Sequence, residues 1–207
     1  MRTDHIYAPI RVRVTLDDPR EPLEMIGFTI ARYKFACKWM RETDRVLEVG
    51  CGEGYGCHFF SRHVAEVVGL DVDEDLIRRC AQRYQRENLR YEVGDIIAPA
   101  VPPQPEYDVV VALEMIEHTT REEGRAVITH CAASLKPGGL FIVSTPRARE
   151  DRSLSRQQHH VFEYDYDTLL ATLDPHFRRV MIFCQNDEYI YAGHPSTAWN
   201  FVAVCFK

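Results

Sequence analysis

The sequence has no apolar run that approaches the length of a membrane-spanning helix, and its first residues, Met1 to His5, contain no apolar signal core. We therefore expect neither a membrane anchor nor a secreted protein. The seven cysteines are odd in number and form no CxxC pair. This pattern favours free thiols in a reducing compartment over a disulfide framework, so a cytoplasmic location is the expectation.

Basic residues are the minority among the charged residues. The 25 Lys and Arg stand against 31 Asp and Glu, which gives a formal net charge of −6. Such a balance argues against a broad nucleic-acid or membrane-surface footprint. The 207 residues, 45% of them hydrophobic, suffice for one domain with a sizeable core. We expect a single domain, 1–207, made of an N-terminal arm at 1–21 and a core at 22–207.

Three glycines at alternate positions follow a short apolar run. Val46 to Val49 leads into Gly50, Gly52 and Gly54, and a helical pattern comes next. Glycine allows positive φ and a close approach of a ligand to the backbone, so a strand turning sharply into a helix is predicted. A phosphate-cradling loop would need Lys and then Ser or Thr after the glycines, and Tyr55, Gly56 and Cys57 stand there instead. The glycines alone do not exclude a dinucleotide site.

Glu48 separates these alternatives, because a carboxylate before the first glycine suits an amino group or a cation and would repel a pyrophosphate. With this acid, the stretch from Glu48 to Gly54 resembles the first motif of class I S-adenosylmethionine-dependent methyltransferases. The resemblance implies S-adenosylmethionine as cofactor and an α/β fold, with a Rossmann-like, doubly wound sheet of seven strands, mostly parallel with an antiparallel C-terminal strand. In this family an N-terminal segment such as 1–21 often forms a lid. The cofactor residues implied in this motif are Glu48, Gly50, Cys51 and Gly52.

Two later acids stand where they could meet the same cofactor. Asp71 ends a predicted strand over 65–70, about 20 residues past the glycine turn, where a carboxylate can take both hydroxyls of a ribose. Asp73 is the better candidate for the N-cap of the next helix. In the resembled family an acid such as Asp95 binds the adenine amino group, and a turn acid is the alternative. Neighbouring apolar positions implied to line the cofactor are Val72, Ile96 and Leu113.

The segment Glu114-Met115-Ile116-Glu117-His118 follows a predicted strand over 107–113. If it turns helically, Glu114, Glu117 and His118 share one face. Two carboxylates and an imidazole form a costly cluster unless they are solvated or bind a cation. Oxygen and imidazole donors suit Mg²⁺, with Mn²⁺ or Zn²⁺ as alternatives.

A second segment, from Gln157 to Tyr164, contains His159 and His160 followed by Val161-Phe162-Glu163. Together the two segments resemble metal-dependent O-methyltransferases of two groups, those of ubiquinone biosynthesis and the small-RNA 3′-terminal 2′-O-methyltransferases. The resemblance implies a catalytic role for His118 and the metal ligands Glu114, Glu117, His118 and His160. His159 is the candidate general base, and a neutral, hydrogen-bonded imidazole is the alternative for it.

The remaining patterns predict the outer parts of the sheet. A helix is expected from Pro22 to about Arg41, and a turn at Lys136 to Gly139 before a strand over 140–144. Closing strands are expected over 177–183 and 198–206, forming an antiparallel hairpin. Arginines in the loop after the fifth strand could meet an anionic group or simply be solvated: Arg147, Arg149, Arg152 and Arg156.

These observations favour an S-adenosylmethionine-dependent O-methyltransferase with a divalent metal and a small hydroxylated acceptor such as a sugar, catechol or other diol. Metal-independent methylation of nitrogen or carboxylate is the first alternative, and RNA 3′-terminal 2′-O-methylation is the next. A binding module without turnover is a different class of function, and the acidic cluster argues against it. A homodimer is compatible with the sequence.

Overall fold

The computed structural model describes residues 23–99, 103–150 and 154–207. The expected arm at 1–21, the helix start at Pro22 and Arg152 of the arginine loop lie outside the described residues.

One eight-stranded sheet organises the described part of the chain, with the strand order β3-β2-β1-β4-β5-β8-β6-β7. Strands β3, β2, β1, β4 and β5 are parallel, and β8, β6 and β7 continue the sheet in antiparallel pairs. The strands are β1 (Arg45–Val49), β2 (Glu66–Asp71), β3 (Leu89–Val93), β4 (Tyr107–Leu113), β5 (Leu135–Pro146), β6 (Arg179–Asn186), β7 (Tyr189–Tyr191) and β8 (Asn200–Phe206). The helices are α1 (Leu23–Cys37), α2 (Tyr55–Phe60), α3 (Glu74–Arg83), α4 (Arg121–Ser134), α5 (Leu154–His159) and α6 (Tyr166–Leu173).

The expected count of seven strands is wrong, because Tyr189–Tyr191 forms an additional edge strand. It pairs with β6 through a tight hairpin in which Asp187 adopts φ 47°. Three residues are too few to show an alternation of apolar and polar side chains, so a strand could not be predicted here. The predicted pairing of the two closing strands is confirmed, since β6 and β8 are antiparallel neighbours.

The Lys-Pro-Gly-Gly stretch is not a turn ahead of the fifth strand. β5 begins at Leu135, which pairs with Tyr107, and its register against β4 then shifts before Leu140 pairs with Val109. Gly138 takes φ +79° within this irregular section, where no side chain could be accommodated without backbone strain. The predicted turn residues therefore absorb a bulge inside one long strand.

Two apolar cores lie on opposite faces of the sheet, and β4 contributes to both. Val110 and Ala112 pack with α4 and α6 on one face, while Val109 and Val111 pack with α1, α2 and α3 on the other. Side chains of a strand alternate between faces, so a continuous apolar run is what a central parallel strand requires. β4 is therefore held rigidly, and the residues that follow it begin from a fixed position.

Candidate active site

The glycine turn lies where β1 passes into α2, at the carboxyl edge of the parallel strands. Gly50, Gly52 and Gly54 have φ values of 69°, 54° and 74°, a region that other L-residues adopt only with strain. Gly54 is the N-cap of α2. The turn thus presents main-chain atoms, not side chains, to the space above the sheet edge.

Glu48 is buried directly behind this turn, with 1% of its surface exposed. Its Oε2 accepts a hydrogen bond from the Cys57 thiol at 2.9 Å. Burial raises the pKa of Glu48 to about 7, although hydrogen bonds from Cys57 and Tyr33 act in the opposite direction. The carboxyl group therefore lies between α1 and α2, where its hydrogen bonds connect the end of β1 to these helices.

Asp71, at the end of β2, holds the turn from the side. One of its oxygens accepts the main-chain N–H of Gly52 at 2.9 Å, and the other accepts that of Asp73 at 3.1 Å. Asp73 caps α3 by accepting the N–H of Leu76, as predicted. Val72, between the two acids, is 57% exposed, so an apolar side chain lies uncovered at the sheet edge.

The other predicted cofactor residues divide between the surface and the core. Asp95 is exposed, and its Oδ1 accepts the N–H of Ile97 at 2.8 Å, which is the geometry of a turn acid. Ile96 is 6% exposed and packs in the core that faces α4. Cys51 and Leu113 are likewise buried, at 4% and 8% exposure. Ile96, Cys51 and Leu113 are therefore part of the apolar core beneath the carboxyl edge of the sheet.

Glu114 is the first residue after β4 and the start of the acidic segment. It adopts φ 53°, an uncommon conformation for a residue other than glycine. Its carboxylate accepts hydrogen bonds from Ser144 Oγ at 2.7 Å and from Asn200 Nδ2 at 2.5 Å, and Arg32 Nε lies 3.9 Å away. Glu114 is therefore directed toward β5, β8 and α1.

Glu117 and His118 lie in a short 3₁₀ helix, Ile116–His118, which begins too late to include Glu114. The main-chain carbonyl of Glu117 accepts the N–H groups of Val161 at 2.8 Å and Phe162 at 3.2 Å. His118 Nδ1 lies 2.9 Å from the carbonyl oxygen of His159. These contacts hold the segment with His159 and His160 against the segment with Glu117 and His118.

Glu117, His118 and His160 form a cluster in which one ligand atom of each lies within 4.8 Å of the others. Glu117 Oε2 is buried and has no hydrogen-bond partner among the described residues. Burial, and then the nearby charge of Glu114, raise the pKa of Glu117 well above its usual range. A buried carboxylate oxygen that lacks a donor, beside two imidazoles, fits a divalent cation.

The four-ligand prediction is reflected only in part by this geometry. Three of its members come together, and Glu114 does not join them, because Ser144 and Asn200 hold its carboxylate elsewhere. His159 contributes its main-chain carbonyl to the cluster, whereas its imidazole is not a member of the set.

Sequence reasoning missed the partners that hold Glu114. Arg32 is 4% exposed, stacks on the Phe28 ring at 4.5 Å and donates to Gln185 Oε1 at 3.3 Å. Arg32 and Asn200 come from α1 and β8, so no local motif connects them with Glu114. The one available signal was that Arg32 follows Phe28 by four residues and shares its helix face.

Residues 46–139 match a family model described as a methyltransferase domain. These residues therefore resemble a methyltransferase domain. The match begins at β1 and ends within β5, so it contains the glycine turn, Asp71 and the acidic segment.

Curated relatives agree with this domain. A probable S-adenosylmethionine-dependent methyltransferase of Mycolicibacterium smegmatis is 40% identical over 101 residues, which are 49% of this chain and 37% of that protein. A ubiquinone biosynthesis O-methyltransferase of Rhodopseudomonas palustris is 33% identical over 101 residues, which are 49% of this chain and 39% of that protein. The matched segment thus covers about two fifths of these relatives.

Among solved structures, a SAM-dependent methyltransferase from Archaeoglobus fulgidus superposes with a TM-score of 0.68 at 19% identity, covering 91% of this chain and 96% of that one. This likeness shows that the methyltransferase fold extends beyond the matched segment. Within the described ranges, no helix has both the length and the apolar character needed to cross a membrane.

Proposed function

We propose that this protein is an S-adenosylmethionine-dependent O-methyltransferase that uses a divalent cation to methylate a hydroxyl group of a small, diol-bearing molecule. The observation that carries the proposal is the cluster of Glu117, His118 and His160. It follows β4, at the same carboxyl edge of the parallel strands as the glycine turn. In open α/β sheets this edge is where ligands bind.

The turn residues suit the cofactor. Asp71 would take the ribose hydroxyls, because its carboxylate lies beside the glycine turn, at the end of β2. Val72 would cover the adenine, and Asp95 would use its remaining acceptor capacity for the adenine amino group. When bound, the cofactor supplies an electrophilic methyl group. The role of the chain is to hold that group in line with an acceptor oxygen.

The cation would be held by Glu117, His118 and His160. With Glu114 engaged elsewhere, the set offers one carboxylate and two imidazoles, which suits Mn²⁺ or Zn²⁺ better than the Mg²⁺ first expected. When bound, the cation would supply Lewis acidity, which favours loss of the proton from the acceptor hydroxyl. His159, beside the cluster, is the candidate that takes the proton.

The acceptor class rests on two supports. A single cation held by three side chains would have coordination positions left for two vicinal oxygens. The relative named as a ubiquinone biosynthesis O-methyltransferase favours oxygen as the atom that is methylated. The net charge of −6 favours a small molecule over RNA. The seven cysteines carry free thiols, which supports a reducing, cytoplasmic location.

The test compares His118→Ala with the matched control His63→Ala, an exposed histidine away from the cluster. Metal content after incubation with MnCl₂, affinity for S-adenosylhomocysteine and methylation of a panel of catechols and sugars are measured for each. His118→Ala should lose bound Mn²⁺ and at least about 100-fold in activity while retaining product affinity. The control should keep all three properties. An active His118→Ala protein would rule out the metal mechanism and bring amine or carboxylate acceptors forward.

A further inference from the structure

Glu163 is a buried carboxylate in the loop that carries His160, and neither the turn nor the cluster described above uses it. Its side chain is 2% exposed. Oε1 lies 2.6 Å from His160 Nδ1 and also accepts a hydrogen bond from Arg156 Nε at 2.9 Å. A carboxylate this deeply buried is costly unless it is paired, and here an imidazole and a guanidinium pair with the same oxygen.

Arg156 fixes the position of this carboxylate relative to the sheet. Its Nη2 donates to the main-chain carbonyl of Arg147 at 3.0 Å, immediately after the end of β5. Arg147 in turn donates its Nε to the carbonyl of Ala198 at 2.7 Å. The chain of contacts runs from the end of the sheet through Arg156 and Glu163 to His160. Two of the four arginines noted in the sequence are therefore structural.

The contact with Glu163 determines which nitrogen of His160 can bind a cation. A carboxylate oxygen that already accepts from Arg156 favours a proton on Nδ1, which leaves the lone pair of Nε2 available as a ligand. His118 has an equivalent arrangement, since its Nδ1 faces the carbonyl oxygen of His159 at 2.9 Å. Each histidine of the cluster thus has a fixed acceptor behind it, and for His160 that acceptor is a side chain that can be changed.

We propose that Glu163, held by Arg156, is the positioning residue that fixes the ring orientation and the Nδ1–H tautomer of His160 for metal binding. The metal part of this inference rests on the proposed function. The tautomer part does not, because it concerns the protein without added metal.

The experiment uses the full chain in three forms: wild type, Glu163→Leu and Glu163→Gln. Long-range ¹⁵N NMR of the imidazoles reports the His160 tautomer without metal, with His160→Ala used for assignment. A titration with MnCl₂, followed by the EPR signal of free Mn²⁺, reports affinity. Exposed Glu87, changed to Leu, is the matched control for removing a carboxylate.

Wild type should show the Nδ1–H tautomer. Glu163→Leu should lose it and bind Mn²⁺ about 10–100-fold more weakly, as expected when a partner behind a metal-binding histidine is removed. Glu163→Gln should keep the tautomer and lose less affinity. Its amide oxygen can accept both hydrogen bonds, and its nitrogen would take the place of Oε2, which has no hydrogen-bond partner among the described residues. Glu87→Leu should match wild type.

Two results would overturn the inference: a wild type with the Nε2–H tautomer, or a Glu163→Leu protein with unchanged tautomer and unchanged Mn²⁺ affinity. If Glu163→Leu fails to fold, the wild-type spectrum and Glu163→Gln still test the inference, because loss of the Nδ1–H tautomer in Glu163→Gln, whose amide oxygen can accept the same hydrogen bond, would contradict it. A wild type that binds no Mn²⁺ but shows the Nδ1–H tautomer refutes the metal part and the proposed function together. The tautomer change in Glu163→Leu then still decides whether Glu163 orients His160.

Discussion

Asp71 and Asp73 are separated by one residue and have different partners, which allows one to serve as a control for the other. Asp71 accepts main-chain N–H groups from the glycine turn and from Asp73, whereas Asp73 accepts the N–H of Leu76 at the start of α3. One acid therefore belongs to the turn that faces the ligand edge, and the other belongs to a helix cap.

Asp71→Ala should abolish measurable binding of S-adenosylhomocysteine, because the ribose acceptor and the support of the turn are lost together. Asp73→Ala should instead lower the free energy of unfolding by about 1 kcal/mol, the usual effect of removing an N-cap, and keep the ligand affinity. Calorimetric titration and urea denaturation of both variants make the comparison. Unchanged affinity in Asp71→Ala would place the ribose acceptor elsewhere.

Glu48 makes stability depend on pH. Its pKa is raised from 4.5 to about 7 in the folded protein, so the folded state retains a proton that the unfolded chain has released. The free energy of unfolding should therefore fall as pH rises from 4.5 to 7, by about 3 kcal/mol from this group. Glu48→Gln should match wild type near pH 4.5 and be more stable than it at pH 8. Equal differences between the two proteins at both pH values, measured by urea denaturation, would contradict this assignment.

At the scale of elements, the glycine turn and the irregular section of β5 differ in how closely they are packed. A Cβ atom at Gly54 would lie 2.7 Å from Cys80 Sγ and 2.9 Å from the Tyr91 hydroxyl, whereas at Gly138 nothing lies within 4 Å. Both glycines have positive φ, at +74° and +79°. A substitution at Gly138 would therefore cause backbone strain alone, whereas one at Gly54 would cause strain and steric crowding.

Gly138→Ala should cost about 1–2 kcal/mol of stability through strain alone. Gly54→Ala should cost a further ~1–3 kcal/mol from overpacking and should also weaken binding of S-adenosylhomocysteine, since the turn must move. Denaturation curves and calorimetry test both expectations. Similar losses of stability in the two variants would mean that Cys80 and Tyr91 can move away from a side chain at position 54 without destabilising the protein.

Elements with strong patterns were predicted closely. β4 begins and ends at the predicted residues, 107 and 113, because it is a largely apolar run with charged residues on either side. Helix α1 ends at Cys37, short of the predicted Arg41, since apolar spacing continues into the turn that follows. The spacing of apolar residues shows which positions are buried, but it does not distinguish the end of a helix from a buried turn that follows it.

The predicted metal ligands lie in two separate parts of the sequence. Glu117, His118 and His160 lie in two short motifs, and the structure brings these motifs together. The grouping of Glu114 with them assumed a regular helix, but the backbone turns at Glu114 before the 3₁₀ helix begins. Arg32 and Asn200 could not be predicted, because only the pairing of β8 with β5 and the packing of α1 bring them to Glu114.

At the scale of the whole molecule, the ligand edge has two parts. The glycine turn follows β1, and Asp71 ends β2. In the cluster, Glu117 and His118 come after β4 in the chain, and His160 comes after β5. The proposed cofactor residues and the proposed metal ligands share no side chain among those described. Binding at one part should therefore be nearly independent of the other.

Removal of metal with a chelator should leave the affinity for S-adenosylhomocysteine unchanged within about twofold. Activity should be lost and should return on addition of MnCl₂. Calorimetry before and after chelation, on one purified sample, measures the first expectation, and an activity assay measures the second. A large fall in product affinity on chelation would show that the two parts are coupled.

The docking of the second histidine segment onto Glu117 and His118 also has a kinetic consequence. His118 and His159, which are in contact, are 41 residues apart in the chain, and β5 must join the sheet before they can meet. Closing so long a connection places the cluster late in folding. A cation held there would act on the finished structure, so it would slow unfolding and leave the rate of folding unchanged.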